Sequence, residues 1–147
     1  MRQCAFKCYS RTIQKQCLSL HISFLTDIRS GTVDFMADND ITSLFCNLLD
    51  NAVEACRGIP EALIEMTVQK KENTPFVVIT MVNSCRSDPF SRSSRGGLIP
   101  TSKSDGQRHG FGLKSIRKTV GKYHGDMQMY YHNETATFHS IITLKKN

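Results

Sequence analysis

No run of apolar residues in this 147-residue chain is long enough to cross a bilayer. The opening stretch, MRQCAFKCYSRTIQKQC, is basic but lacks the apolar core of a secretory signal. The expectation is a soluble segment that makes no membrane contact of its own. None of the six cysteines forms a C-x-x-C pair, and no histidine stands at zinc-finger spacing from them. A chain of this length buries enough apolar surface to fold without disulfides or a structural metal. Cys4 and Cys8 are four residues apart and would share one face of a helix; a metal pair and chance spacing both fit. Cys46 and Cys56 fall in an apolar helical pattern and read as small hydrophobes. Reduced thiols and a cytoplasmic location are the expectation. Tryptophan, internal repeats and low-complexity tracts are also missing. What the chain has in excess is positive charge, 19 Lys and Arg against 13 Asp and Glu. Such a surface attracts an anion: a nucleotide, a nucleic acid or an acidic protein. The cations gather in the N-terminal arm and one long loop, without the interleaved aromatics of RNA-binding surfaces, which argues against nucleic acid.

The clearest element is a helix over Asp38–Arg57. Ile41, Leu44, Phe45, Leu48, Leu49, Ala52 and Val53 follow the i, i+3, i+4, i+7 rule. Asp38, Asn39 and Asp40 are candidate N-caps, and Gly58 and Pro60 stop the helix. Residues before it divide into an arm at 1–19, helical or frayed, and two short strands, His21–Asp27 and Thr32–Met36, around a Ser30-Gly31 turn. After it come strands at Leu63–Lys70 and Phe76–Asn83, joined through Asn73-Thr74-Pro75. Ser84–His109 then loses all periodicity. Loops of that length inside a domain are usually functional. A second helix, Gly112–His124, carries Leu113, Ile116, Val120 and Tyr123 on one side, with Gly125 as its expected C′ residue. A hairpin of Asp126–Tyr131 and Thr137–Leu144 closes the chain. Interleaved helices with several hairpin-joined strands predict an α+β fold: a two-layer sandwich of a mixed, mainly antiparallel sheet with helices on one face.

Three features carry chemistry. In LFCNLLDNAVEAC, Asn47, Asn51 and Glu54 share one flank of the helix, beside its apolar stripe. Asparagine is a poor helix former, so two of them at the rim of a buried face suggest a polar task. An amide oxygen is a hard neutral ligand suited to Mg²⁺; a solvated helix face has the same spacing. In HGFGLKSI, His109, Gly110, Phe111 and Gly112 lead into a helix. Glycines let a ligand approach the backbone, and helix-start N–H groups face anions; a flexible lead-in turn has the same sequence. The long loop contributes Arg86, Arg92, Arg95, Lys103 and Arg108, a basic lid or simply a solvated loop.

Taken together, DITSLFCNLLDNAVEAC, ITMVNSC, TSKSDGQRHGFGLKSIRKTVGKYHGDM and TFHSIITLKK resemble, in order and spacing, the GHKL ATP-binding superfamily over about His21 to the C-terminus. Within it, the chain is most similar to the histidine kinases of bacterial peptide-pheromone receptors. The resemblance implies a domain at 20–147 that binds ATP and Mg²⁺. It implies Asn51 as the Mg²⁺ ligand and Asn47 as the polar position one turn earlier, a second possible ligand. It implies Asn83 and Ser84 near the adenine. Thr101, Ser102 and Lys103 take the place of the lid hinge. His109, Gly110, Phe111, Gly112 and Leu113 take the place of the second glycine box. Many relatives read adenine with an Asp in D-x-G-x-G; here Val82-Asn83-Ser84 stands instead, with no glycine pair following. Where hydrolysing relatives carry a catalytic glutamate the chain has Asn47, which cannot act as a general base. No catalytic residue is therefore assigned.

The implied partners are a histidine-bearing dimerisation hairpin, on the same or another chain, and a response regulator downstream. No histidine here has the acidic, amphipathic-helix context of a phosphoacceptor; His21, in SLHISFL, reads as a partly buried strand residue. The arm at 1–19 is then a remnant of the helix leading out of such a hairpin. Two other readings stand beside this one: an anti-sigma-type protein serine kinase, and a non-catalytic nucleotide-binding module.

Overall fold

The computed structural model describes the backbone of residues 4–90 and 106–147, and the side chains of 9–90 and 112–147. In chain order the elements are α1 (Cys4–Ser19), β1 (Ser23–Ile28), α2 (Asp38–Cys56), β2 (Leu63–Lys70), β3 (Phe76–Ser84), α3 (Gly106–Lys122), β4 (Asp126–His132) and β5 (Thr137–Lys145). The five strands make one sheet in the order β1-β2-β3-β5-β4. β1 runs parallel to β2, and the remaining pairs are antiparallel. This is the expected α+β sandwich.

Alternation decides which face the helices cover. Ile64, Met66 and Val68 on β2, Val77, Ile79 and Met81 on β3, and Ile142 and Leu144 on β5 are all buried, and the residues between them are not. α2 lays Ile41, Leu44, Phe45, Leu48, Leu49, Ala52, Val53 and Cys56 on this face, all buried. Each large aliphatic or aromatic side chain among them contributes about 1.5–3 kcal/mol by leaving water. α1 joins the same core through Ile13 and Cys17, each 1% exposed.

Several local expectations give way to longer-range contacts. The N-cap of α2 is Ala37, which has no capping side chain; Asp38, Asn39 and Asp40 sit in the first turn. The Ala37 N–H instead donates to Tyr123 Oη (2.8 Å), which in turn donates to Asp40 Oδ2 (2.6 Å). Residues Thr32–Met36 form no strand. Successive turns, with Thr32 N–H bonded to Arg29 O, Asp34 N–H to Gly31 O and Met36 N–H to Val33 O, use up the backbone groups a ladder would need.

α1 and α3 end alike. In α1 the Ile22 N–H reaches Cys17 O and the His21 N–H reaches Leu18 O; in α3 the Gly125 N–H reaches Val120 O and the His124 N–H reaches Gly121 O. This paired 6→1 and 5→2 pattern is a Schellman motif with a left-handed residue at C′. That residue is a histidine both times, His21 (φ 57) and His124 (φ 50). His21 is thus an exposed turn residue rather than a partly buried strand residue, and β1 starts two residues later than expected. The C′ residue of α3 is His124, not Gly125. Gly125 is required for another reason: a Cβ there would overlap the Thr143 carbonyl of β5.

The candidate nucleotide site

α2 and α3 lie side by side. Ser43 Oγ and Ser115 Oγ meet at 2.9 Å, and Asn47 Nδ2 reaches Ser43 Oγ at 3.5 Å. Above that contact stands Gly112: a Cβ built on it would lie 3.6 Å from Asn47 Oδ1 and 3.9 Å from Asn51 Oδ1. The two amides singled out on one helix therefore face a backbone position without a side chain on the other.

α3 begins at Gly106, six residues before the sequence suggests. Gly110, Phe111 and Gly112 consequently lie within its early turns rather than in a turn ahead of it. Each glycine disfavours the helix by about 1 kcal/mol relative to alanine. The apolar side of α3 offsets this, with Leu113, Ile116 and Val120 all buried.

Next to Asn51 a cleft of about 80 Å³ opens between α2 and the sheet. Leu48, Met81, Met129 and Phe138 give it apolar walls, Pro89 closes one side, and Asn83 and Ser140 are its polar strand residues. Asn83 is 3% exposed, and its Nδ2 donates to Ser84 O at 3.0 Å. Ser84 itself falls on the opposite face by strand alternation, where its Oγ accepts the Leu63 N–H (2.9 Å). Sequence reading did not select Ser140. A signal existed, because it is a polar residue at an inward position of β5, in register with the buried Ile142 and Leu144.

No carboxylate among the described residues lines the cleft. The nearest in sequence, Asp50, accepts a hydrogen bond from Tyr9 Oη on α1 (2.7 Å). Burial, and then that carboxylate, raise the Tyr9 pKa, so the phenol remains a donor. Cys17, Cys46, Cys56 and Cys85 are free thiols. Burial pushes Cys56 up to about 11 and raises the other three as well. None has the lowered pKa of a nucleophile at neutral pH.

Among the described residues no three His, Cys, Asp or Glu side chains come together. A metal here would have to be a hard cation content with one or two amide oxygens, completing its shell from phosphate and water. The donor set at Asn47 and Asn51 fits Mg²⁺ in that form.

The remaining candidates are scattered or lie beyond view. Thr101, Ser102 and Lys103, with Arg92 and Arg95, lie outside the described residues. Arg108, His109 and Phe111 are on α3, with side chains outside the described set. Arg86 leaves the proposed lid altogether, donating to Gly58 O at 2.6 Å. None of the described histidines lines the cleft. His132 and His139 belong to the β4–β5 hairpin, where His139 stacks on Tyr130 at 4.8 Å. A wider cleft, about 830 Å³, lies around Arg29, Lys70 and Lys146 and shares no residue with the first. No helix among the described residues is long and apolar enough to cross a membrane.

Residues 36–143 match the GHKL domain family. No curated protein sequence gives a match. Among solved structures, the catalytic domain of histidine kinase ThkA superposes with a TM-score of 0.69 at 18% identity, covering 92% of this chain and 86% of that one. The mycobacterial sensor histidine kinase MprB gives 0.65 at 15% identity, over 96% and 93% of the two chains. The Acinetobacter baumannii histidine kinase AdeS gives 0.62 at 12% identity, over 97% of this chain and 65% of that one. At such identities the superpositions speak for the fold alone, whereas the family match spans most of the chain and takes in α2, the cleft strands and Gly112. The chain belongs to the GHKL family of ATP-binding domains, in the fold shared with histidine kinase catalytic domains.

Proposed function

We propose that this chain is the ATP-binding catalytic domain of a sensor histidine kinase of the peptide-pheromone-receptor type. It passes the γ-phosphate of ATP to a histidine on a separate helical hairpin, for relay to a response regulator. The observation that carries the proposal is the meeting of Asn47 and Asn51 with Gly112. Asn51 Oδ1 would hold Mg²⁺, with Asn47 Oδ1 as a possible second ligand, and the side-chain-free position opposite leaves the two amide oxygens uncrowded. Bound Mg²⁺ supplies neutralisation of phosphate charge, the main requirement of phosphoryl transfer. Asn83 reads the adenine through Oδ1, its Nδ2 being committed to Ser84 O. Thr101, Ser102 and Lys103 form the lid hinge, and Lys103 meets a phosphate oxygen. The apolar walls at Leu48, Met81, Met129 and Phe138 suit the faces of a planar base. The domain works on the cytoplasmic side of a membrane receptor.

Asn47 cannot deprotonate water, so the domain alone binds ATP and hydrolyses it very slowly. The test is incubation of the purified chain with γ-labelled ATP, with and without candidate histidine hairpins. The expected result is no label on the chain alone, and an acid-labile, base-stable label on a hairpin. Acid-stable label on a partner's serine would replace the proposal with the anti-sigma-type serine kinase.

A further inference from the structure

Ser43 and Asn47 stand one turn apart on α2 and share a face, as Gly112 and Ser115 do on α3. A helical serine commonly returns its hydroxyl to the carbonyl four residues back. Here both hydroxyls, half-buried, cross between the helices instead, with Ser43 Oγ and Ser115 Oγ 2.9 Å apart. The Asn47 amide is the next group along. Its Nδ2 points back to Ser43 Oγ at 3.5 Å. Its oxygen end turns towards Gly112, where a Cβ would lie 3.6 Å from Oδ1 and 3.9 Å from Cγ. Proton counting gives this chain a direction. A side-chain amide donates at one end and accepts at the other, and a serine hydroxyl has a single proton to give. Ser43 Oγ accepts from Asn47 Nδ2, so its own proton goes to Ser115 Oγ. Among the described residues neither hydroxyl has another partner. Without Ser115 the Ser43 proton would be free to go to the Asn47 oxygen. The amide would then turn over and set Nδ2 against Gly112, where a hard cation requires an oxygen.

We infer that Ser43 and Ser115 are positioning residues for Asn47: the paired hydroxyls decide which end of its amide meets the metal. The inference rests on the ATP-binding reading of the site and adds to it two residues that touch neither nucleotide nor metal. Groups hydrogen-bonded to a metal ligand commonly fix its orientation in this way. The pair also ties the amide on α2 to the helix that carries Gly112. Asn47 is therefore oriented for a cation only while α2 and α3 are packed together.

The experiment is calorimetric titration of the full chain with ATP, in Mg²⁺ and in EDTA. It compares wild type with Ser43→Ala, Ser115→Ala, Asn47→Ala and the double variant Ser43→Ala/Asn47→Ala. Alanine is a better helix former than serine or asparagine, so each variant retains α2 and α3. Ser43→Ala and Ser115→Ala are each expected to raise the Kd in Mg²⁺ about three- to tenfold and to leave the Kd in EDTA where wild type has it. Once Asn47 is alanine there is no amide to orient, and adding Ser43→Ala should have no further effect. Equal weakening in Mg²⁺ and in EDTA would mark the serines as merely structural and overturn the inference. So would unchanged Mg·ATP affinity in either serine variant, or a full Ser43→Ala effect in the Asn47→Ala background. An Asn47→Ala protein as tight as wild type for Mg·ATP would also overturn it, leaving the ATP-binding reading to Asn51. Failure of wild type to bind ATP would overturn that reading itself, and the serine inference with it.

Discussion

On α2 the two amides at the site, Asn47 and Asn51, ride beside a stripe of eight buried residues. On α3 the facing position is Gly112, in a helix that opens with a glycine and contains three more. α2 supplies functional groups and fixes them by packing; α3 supplies an absence and buries Leu113, Ile116 and Val120 after it. A ligand that needs both a precise donor and free space is served better by this division than by two similar helices. It also separates the effects of mutation, since damage to α2 should reach stability and damage at Gly112 should reach binding.

Leu49→Ala is the most damaging change expected. It empties a fully buried position of α2, and unfolding free energy should fall by about 2–5 kcal/mol in urea titrations. A loss below about 1 kcal/mol would mean that α2 is not the fixed half. Gly112→Ala should do the converse. Its Cβ makes ordinary contact with the two amide oxygens, so melting should change little or rise slightly while Mg·ATP affinity falls about tenfold. Equal losses of stability and binding would erase the distinction.

Tyr123 joins the halves, accepting from the Ala37 N–H and donating to Asp40. Tyr123→Phe should lower stability by about 1 kcal/mol, and it should do so with or without nucleotide. Smaller still is the acid response of the same joint. The hydrogen bond from Lys122, then that from Tyr123, hold the Asp40 carboxyl below its usual range. A depressed folded pKa contributes stability above the unfolded value, near about 4, which is lost as pH falls through the folded one. Melting curves between about pH 5 and about pH 2 should therefore fall less steeply for Asp40→Asn than for wild type. Parallel curves would remove Asp40 from the joint.

The same division explains what the sequence reveals. α2 was legible almost to the residue, because its apolar stripe repeats for five turns and Gly58 ends it in a left-handed conformation (φ 74). β2 matches its expected bounds because alternation with one covered face leaves a clear trace. The start of α3 was hidden: Gly106, Gly110 and Gly112 all speak for a loop, yet the backbone is helical from Gly106. The cap of α2 was hidden for a related reason. Its partner, the Tyr123 hydroxyl, is 86 residues away, and no local pattern reports it. Asn47 and Asn51 were visible as a pair on one flank, but Gly112 as their counterpart emerges only once the helices are packed. Ser84 shows the opposite case: adjacent to Asn83 in sequence, it lies on the other face of the sheet.

The account stands on Asn51 and its neighbour glycine forming one site for Mg·ATP. The direct measurement is calorimetric titration of wild type and Asn51→Ala with ATP, each with Mg²⁺ and with EDTA, alongside their melting curves without nucleotide. The account predicts Mg²⁺-dependent binding by wild type, a Kd at least about tenfold weaker for the variant, loss of its Mg²⁺ dependence, and melting curves that coincide. An Asn51→Ala protein that binds Mg·ATP as tightly as wild type would contradict it.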